Sequence, residues 1–155
     1  QGVSSAASDV YKRQALNQGA LLFGENKVQE AEEKFEVLRQ EYFNIDLHLI
    51  GPLQTNKVKQ ALKIFDVIQS VDREKLVKEI SKNLSKISRT KSFYIQVNIG
   101  KEDQKSGIDP DKAKIFYDYS IEQGLNVIGL MCIPPNNKDP IFFFNKMLYL
   151  RNNIN

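Results

Sequence analysis

The chain has 155 residues and a mass of 17.8 kDa, room for one ordinary domain. It is 41% hydrophobic and 26% charged, with a mean hydropathy of −0.41, which excludes a disordered or fibrous chain. Lys and Arg total 22 against 19 Asp and Glu, and a formal charge of +3 is too slight to argue for nucleic acid. The single cysteine, Cys132, excludes an intrachain disulfide and Cys-cluster metal sites, and the single histidine, His48, excludes paired-His zinc sites. No apolar run reaches the roughly 18 residues of a membrane helix. Ile141–Leu150 is too short and carries Lys146. The N-terminus lacks the charged start and apolar core of a secretory signal, so a reduced, cytoplasmic location is the expectation.

In chain order, short apolar runs alternate with helical patterns. The runs are Leu21–Phe23, Leu47–Ile50, Phe65–Ile68, Phe93–Ile99 and Val127–Cys132. They are β-branched or aromatic and are bounded by Gly, Pro, Asn or Asp, as expected of strands buried on both faces of a parallel sheet. After the first run, Asn26 followed by Gln29 reads as a capping box, and Val28, Ala31, Phe35 and Leu38 form one helical face. A short helix is predicted over about Thr55 to Lys63. Asp72 is placed to cap a helix whose face is Leu76, Ile80, Leu84 and Ile87. In the longest run, Gln96 and Asn98 share one face and Ile95, Val97 and Ile99 the other. Asp109-Pro110 and Asp139-Pro140 open two further helices. The first carries Ala113, Phe116, Tyr117 and Ile121 and ends at Gly124. The second carries Phe143, Phe144, Met147, Leu148 and Leu150.

Five β-α units with right-handed crossovers make an α/β protein, either an open doubly wound sheet or a β/α barrel. Neither G-x-G-x-x-G nor G-x-x-x-x-G-K-[ST] occurs, as a nucleotide-binding open sheet would require. A complete eight-fold barrel takes about 250 residues, so five units point to an incomplete TIM-type barrel.

Five segments, in order and spacing, carry a resemblance. They are Phe23-Gly24-Glu25-Asn26-Lys27-Val28-Gln29-Glu30-Ala31, His48-Leu49-Ile50-Gly51-Pro52-Leu53-Gln54-Thr55-Asn56-Lys57, Gln96-Val97-Asn98-Ile99, Lys105-Ser106-Gly107 and Gly129-Leu130-Met131-Cys132-Ile133-Pro134. From about Ala15 to Leu150 the chain resembles the pyridoxal-phosphate homeostasis protein family, also called the YggS or proline synthetase co-transcribed family. The resemblance implies an alanine racemase N-terminal-like barrel, of which the five runs are strands two to six of eight. It implies binding, buffering and delivery of pyridoxal 5′-phosphate (PLP) by the full-length protein, without established catalytic turnover, and weak or absent PLP binding by this chain. It further implies PLP-dependent apoenzymes as partners and a monomer when full-length. The family's Schiff-base lysine ends a strand that has no counterpart in Gln1–Gln14, so no catalytic residue is assigned. Residues 1–14 are expected to be a non-native leader, and residues 15–155 a partial barrel domain. The phosphate-binding turn of the family is likewise not found.

Barrel sites lie at the C-terminal ends of the strands. That rule and the resemblance together select Asn26, His48, Gln54, Asn56, Asn98, Lys105 and Met131 as cofactor-side residues. Asn26 is read first as a helix cap. His48, inside an apolar run, is either a satisfied core histidine or a group that orients the cofactor. Asn98 points the same way as Gln96 and so also reads as lining the interior. Lys105 lies in a charged loop expected to be flexible, and is the lysine expected to meet an aldehyde first; Lys57 is the weaker candidate. No metal site is expected. There is no G-x-S-x-G elbow for a hydrolase triad. Two other readings stay open, a racemase-type PLP enzyme and a cofactor-free α/β interaction module.

Overall fold

The computed structural model describes residues 7–154. Helix α1 (Ala7–Asn17) leads into strand β1 (Leu22–Glu25), and four further β-α steps follow. They are α2 (Val28–Glu41), β2 (Asp46–Leu49), α3 (Val58–Ile64), β3 (Val67–Val71), α4 (Glu74–Leu84), β4 (Ser92–Gln96), α5 (Ala113–Glu122), β5 (Val127–Met131) and α6 (Pro140–Ile154). Single 3₁₀ turns, Thr55–Lys57 and Pro110–Lys112, precede α3 and α5.

All five strands are parallel and follow one another in the order β1-β2-β3-β4-β5. This order is that of the incomplete barrel expected from the sequence and not of a doubly wound sheet. A doubly wound sheet reverses direction at a switch point, whereas a barrel adds each strand next to the last. The chain is therefore a five-strand portion of a TIM-type barrel. Its core lies between strands and helices, around Phe35, Leu47, Leu49, Phe65, Ile68, Leu76, Ile80, Phe93 and Ile95, all essentially sealed from solvent.

The predicted face of α2 is the buried one: Val28, Ala31, Phe35 and Leu38. The apolar face predicted in the longest run is buried, with Ile95, Val97 and Ile99 in the core, and Gln96 on the other face is buried as well. Burial on both faces is found in β3 but not in the edge strands, where Leu22 and Ile128 are exposed. Gly124 ends α5 with φ +85, as its sequence position predicts. Asp109 accepts a hydrogen bond from the Asp111 amide, and Asp139 accepts one from the Ile141 amide, so both Asp-Pro caps form.

Several expectations are corrected. Asn26 is not the cap of α2, because the helix starts one residue later with Lys27 in that position and no side-chain cap. Asp72 likewise lies one residue outside the Arg73 cap position of α4, and its carboxylate pairs with the Arg73 guanidinium at 2.6 Å. Ile87 falls beyond the end of α4, and Ile121 of α5 is exposed. On α6, Phe143 is buried while Phe144 and Leu148 face solvent. Apart from these corrections, α1 covers both sides of Ala15, with Leu16 buried. Lys12 pairs with the largely buried Glu25, and Arg13 pairs with Glu41. Residues 1–6 of the expected leader lie outside the described residues. No helix among the described residues is long and apolar enough to cross a membrane.

Candidate functional site

The C-terminal ends of the strands open onto two adjoining cavities of ≈560 and ≈270 Å³, which share Asn26, Pro52 and Ser106. The larger lies between the first turn of α2, the loop after β2 and the segment after β3. Gln54, Lys57, Asp72 and Arg73 line it together with Asn26 and Lys27. The smaller reaches inward past Ile50, Gly51, Gln96 and Lys105.

Two glycines shape this mouth. A Cβ on Gly51 would lie 2.1 Å from the backbone oxygen of Asn26, so only glycine lets the β2 loop pass this closely to the end of β1. Gly107 has φ +121, and a Cβ there would lie 2.5 Å from the Asn98 nitrogen. The physical content of the Ile-Gly-Pro and Lys-Ser-Gly segments is thus close backbone approach around the opening.

The larger cavity is cationic. Lys27, Lys57 and Arg73 line it against the one carboxylate of Asp72. Arg73 is fixed, with Nη1 2.6 Å from Asp72 Oδ1 and Nη2 donating to the Leu53 carbonyl at 2.7 Å. Glu30 holds the exposed Lys27 ammonium at 2.8 Å and raises its pKa through that hydrogen bond. The α2 N-terminus has no side-chain cap, so its first amides and the positive end of its dipole face the same opening. Together these features suit an anion.

The loop after β4 is braced rather than flexible. Asn98 Nδ2 donates to the Glu102 carbonyl at 2.8 Å, and the Glu102 amide donates back to Asn98 Oδ1 at 3.1 Å. Lys105 Nζ lies 2.8 Å from Glu102 Oε2 and donates to the Pro134 carbonyl at 3.1 Å. The Lys105 ammonium, expected to be free in a flexible loop, is instead held by an ion pair with Glu102 and a hydrogen bond to the Pro134 carbonyl.

Of the residues selected from sequence, Asn26, Gln54 and Lys105 meet at the mouth. The other four do not line it. His48 lies lower in the interior, its Nδ1 2.6 Å from Gln69 Nε2 and its Nε2 3.3 Å from Asp46 Oδ2. Asn98 serves the loop, Asn56 is exposed in the 3₁₀ turn, and Met131 is half-buried on β5 opposite Gln96. Sequence reasoning did not select Lys27 or Arg73. Each lies two residues after the end of a strand, and that position is the available signal. Cys132 is half-buried, and desolvation raises its thiol pKa.

Fold and mouth together define a β/α-barrel domain of the alanine racemase N-terminal type, and the model of that domain family matches residues 7–152. The pyridoxal phosphate homeostasis protein of Aquifex aeolicus is 36% identical over 157 residues, covering 99% of this chain and 68% of that protein. The protein of the same name from Pasteurella multocida is 38% identical over 135 residues, covering 84% of this chain and 56% of the relative. Among solved structures, PipY of Synechococcus elongatus with PLP bound superposes with a TM-score of 0.82 at 28% identity. That match covers 94% of this chain and 69% of PipY. An alanine racemase of Clostridium difficile, at 10% identity and a TM-score of 0.70, shares the fold. The chain belongs to the pyridoxal phosphate homeostasis protein family.

Proposed function

We propose that this chain forms part of a PLP-binding barrel that holds, buffers and delivers the cofactor. The observation that carries this reading is the cationic mouth. Lys27, Lys57 and Arg73 border a cavity of ≈560 Å³ beside the uncapped end of α2. That is the size and charge a phosphorylated, ring-containing cofactor needs. The PLP-bound structure of the related PipY supports the same ligand.

The residues present fit such a group. Lys57 and Lys27 are point charges for the phosphate, and Arg73 is a guanidinium fixed in place by Asp72 and Leu53. Asn26, Gln54 and Ser106 offer amide and hydroxyl partners to the ring substituents. Lys105 contributes charge from the side of the β4 loop, positioned there by Asn98 and Glu102. When bound, PLP supplies an electrophilic aldehyde on an electron-withdrawing ring. The protein's part is to hold that ring at an open mouth from which it can leave. We place this activity in the cytoplasm, in a monomer that passes PLP to PLP-dependent apoenzymes.

The test compares PLP with pyridoxal, which lacks the phosphate, in equilibrium titrations of the purified protein followed by visible absorbance. PLP is expected to bind at least tenfold more tightly. A PLP-loaded sample should also reactivate a PLP-dependent apoenzyme. Equal binding of the two compounds overturns the reading.

A further inference from the structure

A third cavity, of ≈650 Å³, lies away from the mouth and shares no lining residue with it. It is bounded by the β4–α5 loop, the 3₁₀ turn before α5 and one flank of α6. Its character comes from α6. Phe142 and Tyr149 line it although they are 54% and 73% exposed, and Lys146 lies between them in sequence. The Lys146 ammonium sits 4.4 Å from the Phe142 ring centroid and 5.9 Å from that of Phe143. Lys138, at the entrance to α6, lines the same space.

The charges there are unbalanced. The lining carboxylate, Asp111, is taken by Lys101 at 2.6 Å, and Asp109 stands 3.6 Å from the same ammonium. Among the described residues, neither Lys138 nor Lys146 has a carboxylate within ion-pair distance. Two ammonium groups without counter-ions therefore border an apolar, aromatic-walled cavity within the size range of small-molecule sites. An aromatic wall offers stacking area for a flat ring, and an ammonium resting on a ring face keeps its N–H donors for an anion beside it.

We propose that this cavity binds a planar aromatic anion, with its ring against Phe142 and Tyr149 and its acidic group between Lys138 and Lys146. The site is separate from the mouth, so it stands or falls independently of PLP binding.

The probe is 2-naphthoate, with the neutral isostere 2-naphthamide as its control. Because the chain has no tryptophan, naphthalene fluorescence is read free of indole emission. Naphthoate is expected to bind saturably, and naphthamide at least tenfold more weakly. Lys138→Gln and Lys146→Gln are each expected to weaken naphthoate binding about three- to tenfold, the range between exposed and partly buried charge pairs. Far-UV circular dichroism establishes that both variants are folded. Amide shift changes should centre on Lys101, Phe142, Lys146 and Tyr149. The proposal is overturned by absent binding, by equal binding of the amide, by unchanged affinity in both variants, or by shifts centred on Asn26, Gln54 and Ser106.

Discussion

Glu102 and Lys105, three residues apart in the β4–α5 loop, form an ion pair of 2.8 Å that aims the lysine across the loop to the Pro134 carbonyl. The pair keeps an amine at the barrel mouth and keeps it occupied. Glu102→Gln removes the charge but leaves the loop's backbone bonds to Asn98 in place. The expected result is several-fold more labelling of Lys105 when the protein is treated with PLP, reduced with borohydride and mapped by peptide mass. Labelling of Lys105 equal to that in the parent chain would show that the ion pair does not restrain it.

Gly51 sets the spacing between the first two strand ends. In Gly51→Ala the added methyl meets the Asn26 backbone, which has no rotamer with which to yield. Overpacking of this kind costs about 1–3 kcal/mol. Chemical denaturation should show that loss, and PLP affinity should fall with it because Asn26 moves. Wild-type stability in this variant would contradict the close approach.

Lys91 carries a pH dependence of known sign. It is buried, and its ammonium donates to the Phe65 carbonyl at 2.6 Å. Desolvation lowers its pKa from 10.5, and the nearby Arg89 and Arg39 act in the same direction against Asp66. The folded chain thus releases this proton more readily than the unfolded chain. Between the folded pKa and about 10.5 the unfolded state binds more protons, so this group's contribution to stability rises with pH across that window. Below it the full desolvation cost is present. Lys91→Met leaves the Phe65 carbonyl without its donor, at a cost of about 1 kcal/mol. The informative quantity is the slope: Tm of the parent should rise from pH 7.5 to 10 relative to the variant. Parallel curves would exclude the effect.

The helix stripes were legible in the sequence because burial on α2 follows the 3.6-residue period without interruption. The caps were not. Asn26 and Asp72 have capping side chains, yet each lies one residue before the cap position, because each helix starts one residue later than the side-chain chemistry suggests. The Asp72 carboxylate pairs instead with the neighbouring Arg73 guanidinium. On α6, three consecutive phenylalanines erase the period, so the sequence could not say that Phe143 alone of the three turns inward. Strand-end position and motif spacing located Asn26, Gln54 and Lys105. Arg73 carries no local mark in the sequence, because its place at the opening exists only once the fold sets β3 beside the loop after β2. His48, placed by the sequence inside an apolar run, is half-buried, and its neighbours Gln69 and Asp46 lie on the adjacent strand and on its own strand two residues back.

The central claim, that the C-terminal mouth holds the cofactor, is tested most directly by mapping backbone amide shifts during titration with PLP, in the parent chain and in Arg73→Gln. The account predicts saturating shifts at Asn26, Lys27, Gln54, Arg73 and Ser106, with His48 and the α6 residues little affected. It also predicts about three- to tenfold weaker binding in the variant. Shifts that leave the mouth silent, or an Arg73→Gln titration that matches the parent, would contradict it.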